Sequence, residues 1–220
     1  MRQHGRSRSR IGGPIPWPAR ILAMGNHHLF ELINAAAPPP AWQRDLALLL
    51  AQWLIGLVPV GMLLAWFRGG AAARRELLHM LLAVVLALAL AQVVGHVWPQ
   101  PRPFALHLGL QLLAHSNDPG LPSDHVTVFW ALACAALTTR RYAAWGFALF
   151  AAGLAVGWSR VFLGVHFPYD VLAALPVALA GVLIACALRP ATMPLAGVIV
   201  RAIAKLARLL RSSLTKTTQA

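Results

Sequence analysis

Residues 77–101 read LLHMLLAVVLALALAQVVGHVWPQP, twenty-five positions without one Asp, Glu, Lys or Arg. A helix that crosses a bilayer needs ~20 mostly apolar residues, so this run spans on its own. It ends on Arg102-Pro103. Further uncharged runs extend from Leu46 to Phe67, Val126 to Thr139, Tyr142 to Ser159 and Val171 to Leu188. The first of these is also long enough; the last three reach the ~17-residue lower limit only with their polar ends included. An unpaired backbone amide is costly in lipid, so each run is expected to be helical. The expected fold is all-α, a polytopic membrane helical bundle of about five spanning helices. Residues 41–190 would form this one embedded domain.

Composition agrees. The chain of 220 residues is 59% hydrophobic and only 11% charged, too little charge for a soluble domain of this length. The net charge of +13 does not point to nucleic acid, because the basic residues sit at the ends of apolar runs. Cys134 and Cys186 both fall inside predicted spans, so they suggest no disulfide framework and no CxxC site.

Charge placement sets an orientation. Arg68, Arg74 and Arg75 lie between spans one and two, and Arg140 and Arg141 between spans three and four. Arg189, Arg201, Lys205, Arg208, Arg211 and Lys216 follow span five. All fall on one side, the expected cytoplasmic side. The N-terminus opposes this pattern with Arg2, Arg6, Arg8, Arg10 and Arg20. Residues 1–23 are therefore read as a basic disordered extension, or as lying before a true start at Met24. From Asn26, which can cap a helix, to Ala37, a short interfacial helix is expected within residues 24–40. Its Leu29, Phe30 and Ile33 share a face, and Pro38, Pro39 and Pro40 end it. Residues 191–220 read either as a basic amphipathic helix on the cytoplasmic surface or as a solvated tail.

Three polar clusters then emerge on the opposite side: Arg102-Pro103, Pro122-Ser123-Asp124-His125, and Ser159-Arg160 with His166 and Asp170. Two arginines, two histidines, a serine and an aspartate on one membrane face suit holding and attacking a phosphate. Asp170 follows His166 by four residues, near enough to fix its tautomer and leave the other ring nitrogen nucleophilic. Pro168 can open the first turn of span five. Gly164 would let the backbone pass close to a phosphate. Span three opens at Ser123, whose hydroxyl can cap the helix or donate to an anion held at its N-terminus. His125 could give a proton to a leaving oxygen. Arg102 and Arg160 offer forks that match phosphate oxygens. Asp124 favours the helix N-terminus. His107, His115 and Asp118 lie in the outer loop and could touch a diphosphate. Taken singly, each has a bland reading: a snorkelling anchor, a structural histidine, a plain cap. Two His, two Arg and two helix starts on one face make coincidence a poor account.

These residues carry a resemblance. The three clusters resemble the signature motifs of the type 2 phosphatidic acid phosphatase superfamily. Arg102-Pro103-Phe104, the Asp within Pro122-Ser123-Asp124-His125, and Gly164-Val165-His166-Phe167-Pro168-Tyr169-Asp170 are most similar to its bacitracin-resistance branch, the undecaprenyl-diphosphate phosphatases. The resemblance is specific from about Arg102 to Asp170. It implies His166 as the nucleophile that becomes phosphohistidine, Asp170 as its orienting partner and His125 as acid then base. It implies Arg102, Ser123 and Arg160 as phosphoryl ligands, a polyprenyl diphosphate as substrate, and no cofactor. No carboxylate cluster offers itself to Mg²⁺ either, so no metal is expected. One departure stands out: the superfamily's first motif begins with Lys seven residues before the Arg, and here that position is Gly95, with His96 beside it. Either the arginines carry more of the phosphate, or His96 substitutes; helix packing is the plainer reading of His96.

The expectation is a lipid phosphatase of a bacterial inner membrane with its site facing the periplasm or exterior. Its partners would be its lipid substrate and the surrounding membrane lipids, with no protein partner implied. Alternatives are the same chemistry on phosphatidylglycerophosphate, phosphatidic acid or a lipopolysaccharide phosphate, or a non-catalytic lipid-binding protein. A transporter would place more polar residues mid-span than Gln52 and Gln92.

Overall fold

Helices that reverse direction at each short loop bring alternate ends together, and here that rule collects the polar clusters. The computed structural model describes residues 17–217. Among these the chain forms α1 (Trp17–Ile33), α2 (Ala41–Leu48), a π-helical turn (Leu49–Trp53), α3 (Leu54–Arg68), α4 (Ala71–Val97), a 3₁₀ turn (Pro103–Leu106), α5 (Asp124–Leu137), α6 (Ala143–Phe162) and α7 (Pro168–Thr217). No strand occurs among the described residues.

Four stretches are long and apolar enough to cross a membrane: Ala41–Arg68, Ala71–Val97, Ala143–Phe162 and Pro168–Leu210. The first joins α2, the π turn and α3 into one rod. The third expected span is α5, shorter at 14 residues, or about 21 Å at 1.5 Å per residue. It is the central helix. Val126, Phe129, Trp130, Ala131, Leu132, Ala133, Ala135 and Ala136 are buried among α4, α6 and α7. Close approach depends on small residues, as usual where lipid offers no hydrophobic drive between helices. A Cβ on Gly153 would meet the Trp130 indole at 2.5 Å, and one on Gly181 would meet the Ala87 backbone at 2.6 Å.

Three boundaries differ from expectation, the first being that the N-terminal helix ends at Ile33 and not at Ala37. The N-terminal helix does not start at Asn26 but at Trp17, so residues 17–23 of the expected extension are helical. Residues 1–16 lie outside the described residues. Asn26 is buried mid-helix, and Phe30 packs with Val161 and Phe167 in a small core. Span five does not stop near Leu188 either: α7 continues unbroken through Pro190 and Pro194. Tertiary packing outweighs the lost helix bonds there. Arg189 pairs with Glu76 of α4 at 2.6 Å, and Ala196 and Val200 remain buried beyond the prolines.

Candidate active site

The end of α4, the start of α5, the end of α6 and the start of α7 share one end of the bundle. Gln92 of α4 donates to the Asp124 carboxylate at 3.1 and 3.3 Å. Gln92 lies five residues before the end of α4, so α5 begins roughly 8 Å short of that end. The start of α5 is thereby set inside the bundle, where the polar clusters meet.

His166 sits in the turn between α6 and α7, buried along with Asp170. Its Nδ1 lies 3.3 Å from Asp170 Oδ2, and the same oxygen accepts the Phe167 N–H at 2.8 Å. With Nδ1–H donating to the carboxylate, Nε2 carries the lone pair. That nitrogen accepts from Arg102 Nη1 at 2.9 Å. Burial first, then the Arg102 and Arg160 guanidiniums and His115, hold the His166 imidazole well below its usual range, so it is neutral at pH 7.

Arg102 is 4% exposed and held on all sides. Nη1 donates to the Val165 carbonyl at 2.9 Å, Nη2 to that of Pro119 at 3.3 Å, and Nε to that of Asp118 at 3.0 Å. The Asp118 carboxylate pairs with Nη2 at 3.2 Å. Arg160, at the end of α6, is buried and lies within electrostatic reach of Arg102, His125 and His166. Its Nε and Nη2 are buried without a protein partner. Ser123 occupies the N-cap position of α5 yet makes no capping bond; its Oγ is buried and unpartnered. The Ser123 N–H donates to the Asp170 carbonyl at 3.0 Å, which ties the start of α5 to that of α7. His125 is half-buried and within electrostatic reach of His166 and both arginines. Buried polar groups are normally paired, so three unmet donors beside a neutral imidazole fit an anion.

This grouping is what a phosphate-handling family would require, and the PAP2 superfamily pattern matches residues 76–194. The chain belongs to the PAP2 superfamily. It is 36% identical over 159 residues to YbjG of Escherichia coli (strain K12), provisionally named an undecaprenyl-diphosphatase, covering 72% of this chain and 79% of that one. It is 29% identical over 154 residues to the undecaprenyl-diphosphatase BcrC of Bacillus subtilis (strain 168), covering 70% and 79%. Among solved structures it is similar to Aquifex aeolicus LpxE, with a TM-score of 0.56, 25% identity, and coverage of 72% of this chain and 93% of that one.

Arg102, Ser123, His125, Arg160, His166 and Asp170 thus converge in this PAP2 chain. His115 joins them: its ring centroid lies 6.2 Å from that of His166. Burial, then Arg102 and Arg160, lowers its pKa against the opposing Ser116 carbonyl and Asp118. Other candidates do something else. Asp118 faces Arg102 as a counter-ion. Although burial raises its pKa, the Ser116 hydroxyl and Arg102 hold it below the usual carboxylate value. Asp124 links α5 to α4. His107 closes the 3₁₀ turn at φ +55°, is exposed, and hydrogen-bonds none of the cluster's side chains. His96 is exposed and lines a cleft with Gln92, Asp118 and Asp124. Gly164 has φ +78°, and its missing side chain faces the Leu110 carbonyl of the loop between α4 and α5, so loop packing accounts for the glycine. Asn26 and Asn34 reach the backbone around the cluster and were not among the expected site residues. Their signal was readable: positions 26, 30 and 34 form one helical stripe, with an amide at each end of an apolar face.

Proposed function

We propose that this chain hydrolyses undecaprenyl diphosphate to undecaprenyl phosphate and inorganic phosphate through a phosphohistidine. The observation that carries this is the neutral His166, braced by Asp170 at 3.3 Å and turned toward two buried arginines. In the first step His166 Nε2 attacks the terminal phosphorus, and the bridging P–O bond breaks. His125, which takes up a proton when the anionic diphosphate sits beside it, gives that proton to the departing polyprenyl phosphate. In the second step His125 takes a proton from water, the water oxygen attacks the phosphohistidine, and the P–N bond breaks. Arg102 exchanges its bond to Nε2 for a phosphoryl oxygen. Arg160 and Ser123 supply their unmet donors to the others, offsetting charge in a site shielded from water.

The names of YbjG and BcrC support the choice of lipid. Basic residues at the opposite end of the bundle (Arg68, Arg74, Arg75, Arg140, Arg141 and Arg189) favour a site on the outer face of a bacterial cytoplasmic membrane. The polyprenyl tail then stays in lipid while the diphosphate meets the cluster. Phosphate release from purified wild type and His166→Ala, on undecaprenyl diphosphate, phosphatidylglycerophosphate, phosphatidic acid and a lipopolysaccharide phosphate, tests both substrate and nucleophile. Undecaprenyl diphosphate should be the preferred lipid, and the variant should be inactive but folded. Full activity in His166→Ala would remove the mechanism, and preference for a glycerolipid would remove the substrate.

A further inference from the structure

α1 packs on α6 and α7, and two buried amides, Asn26 within it and Asn34 just after its end, fasten it to the backbone around the cluster. Asn26 Oδ1 accepts the Tyr169 N–H at 3.0 Å. Tyr169 is the second residue of α7, and its N–H is one of the donors that a helix start leaves unpaired. Asn26 therefore caps α7 from a helix 143 residues away in sequence. Between these anchors, Phe167 stacks on His27 at 5.2 Å and meets Phe30 edge-on at 5.3 Å. Phe167 and Tyr169, on either side of Pro168, are thus held by α1, and His166 is the residue before Phe167.

Asn34 does the same at the other edge. It donates to the Phe162 and Leu110 carbonyls, each at 3.0 Å, and accepts the Leu110 N–H at 2.8 Å. Phe162 ends α6, two residues after Arg160. Leu110 belongs to the outer loop that carries His115 and Asp118. Both amide hydrogens and the amide oxygen of Asn34 are used, so no other side chain of its size could make the set. The loop is pinned further by the Leu112 N–H donating to the Leu163 carbonyl at 3.0 Å.

We propose that Asn26 and Asn34 are positioning residues for the phosphoryl-transfer site. Asn26 sets the start of α7, which orients His166 and Asp170. Asn34 locks the outer loop, with His115 and the counter-ion of Arg102, onto the end of α6 that carries Arg160. The inference rests on the functional reading above. Neither amide touches the phosphate, so both act through the groups they hold.

The two amides differ in what they supply, and this gives a test. Asn26 is needed as an acceptor, which a carboxylate replaces beside a helix N-terminus. Asn34 is needed chiefly as a donor to two carbonyls, which a carboxylate would repel. Asn26→Ala and Asn34→Ala should lower kcat about 10- to 100-fold, the usual scale for lost orientation of a reacting group. KM should change by less than about 3-fold, because ground-state binding is retained. Asn26→Asp should restore most of the kcat; Asn34→Asp should restore none. A role in packing alone would treat both Asp variants alike, since Asp and Asn have nearly the same shape. Hydrogen exchange adds a reading that needs no substrate: in Asn26→Ala the amides of residues 165–172 should exchange faster while those of α4 do not. Wild-type kcat in Asn26→Ala, an Asn26→Asp variant that is inactive or unfolded, or an active Asn34→Asp would each overturn the proposal. A wild type that releases phosphate from no lipid would defeat the functional reading, and the exchange measurement would still decide the positioning claim.

Discussion

Asp170→Asn should be a mild lesion, and Asp170→Ala a severe one. Both protein bonds to this carboxylate end on one oxygen, Oδ2, which accepts from Phe167 N–H and faces His166 Nδ1. Oδ1 is buried with no partner. An asparagine can put its carbonyl where Oδ2 stands and its NH₂ where Oδ1 stands, keeping both bonds and the same imidazole tautomer. What it loses is charge. A hydrogen bond to a charged group contributes ~1.5–3 kcal/mol and a neutral one ~1, so the difference is about 0.5–2 kcal/mol. At 1.36 kcal/mol per tenfold, kcat/KM should fall roughly 2- to 30-fold. Alanine instead leaves the buried Phe167 N–H and the imidazole N–H unmet, at ~1–3 kcal/mol each, and frees the ring to rotate. Its loss should be about 30- to 10⁴-fold. Steady-state phosphate release from purified protein in detergent gives both numbers, with acid-quench detection of phosphohistidine as a control. An asparagine variant as poor as the alanine variant would refute the claim that one oxygen serves both donors.

His125→Ala should cost about 10²- to 10⁴-fold on a lipid substrate, the range for a lost general acid. With an aryl phosphate, whose leaving group needs no proton, the loss should shrink; an equal loss on both would deny His125 the acid role. His166 is held neutral in the folded state, so the unfolded chain binds more protons between the lowered pKa and ~6.5. Its stabilising share is complete above ~6.5 and declines as pH falls, so thermal stability should drop from pH 7 to pH 5, and less in His166→Gln. Equal slopes in the two proteins would contradict this. Gly164→Ala should destabilise by about 1–3 kcal/mol through its positive φ, and more through collision with the Leu110 carbonyl, measured by thermal unfolding.

Much of this site could be read from the chain because its chemistry is local. His166 and Asp170 are one helical turn apart, and the Ser123 motif sits at a helix start, so spacing alone carries their relation. The alternation of apolar runs then puts the clusters at one end of the bundle. The fixtures between clusters were hidden because they join residues far apart in sequence. Nothing local says that Asp118 spends its charge on Arg102 or that Gly164 answers to Leu110. Nor does proline placement reveal that α7 runs on, since Pro190 and Pro194 are outweighed by contacts with α4. The shape of the start of α5 escaped for the same reason: Ser123 looks like a cap, and only the packed bundle leaves its hydroxyl unpartnered.

Gly95 stands where the resemblance to the superfamily's first motif implies a lysine, which makes Gly95→Lys look like a repair. The geometry predicts harm instead. A Cβ at this position would stand 3.2 Å from the Leu121 carbonyl and 3.8 Å from Pro119 Cβ. That loop is not free to give way: the Gly120 N–H holds the Gln100 carbonyl at 2.8 Å, and Pro119 accepts from Arg102. Two residues on stands Ser123. The lysine stem would enter the cleft of about 390 Å³ that Asp118 and Asp124 line, where a carboxylate is the nearest strong partner. Drawing Asp118 off Arg102 would loosen the guanidinium that meets His166 Nε2. Gly95→Lys should therefore lower kcat about tenfold, a change of about 1.4 kcal/mol, with no gain in inhibition by orthovanadate. Gly95→Ala, which adds the Cβ without the charge, should lose less. Higher activity together with tighter orthovanadate inhibition in the lysine variant would mean that its ammonium reaches the phosphate, and that the loop yields where the packing says it holds.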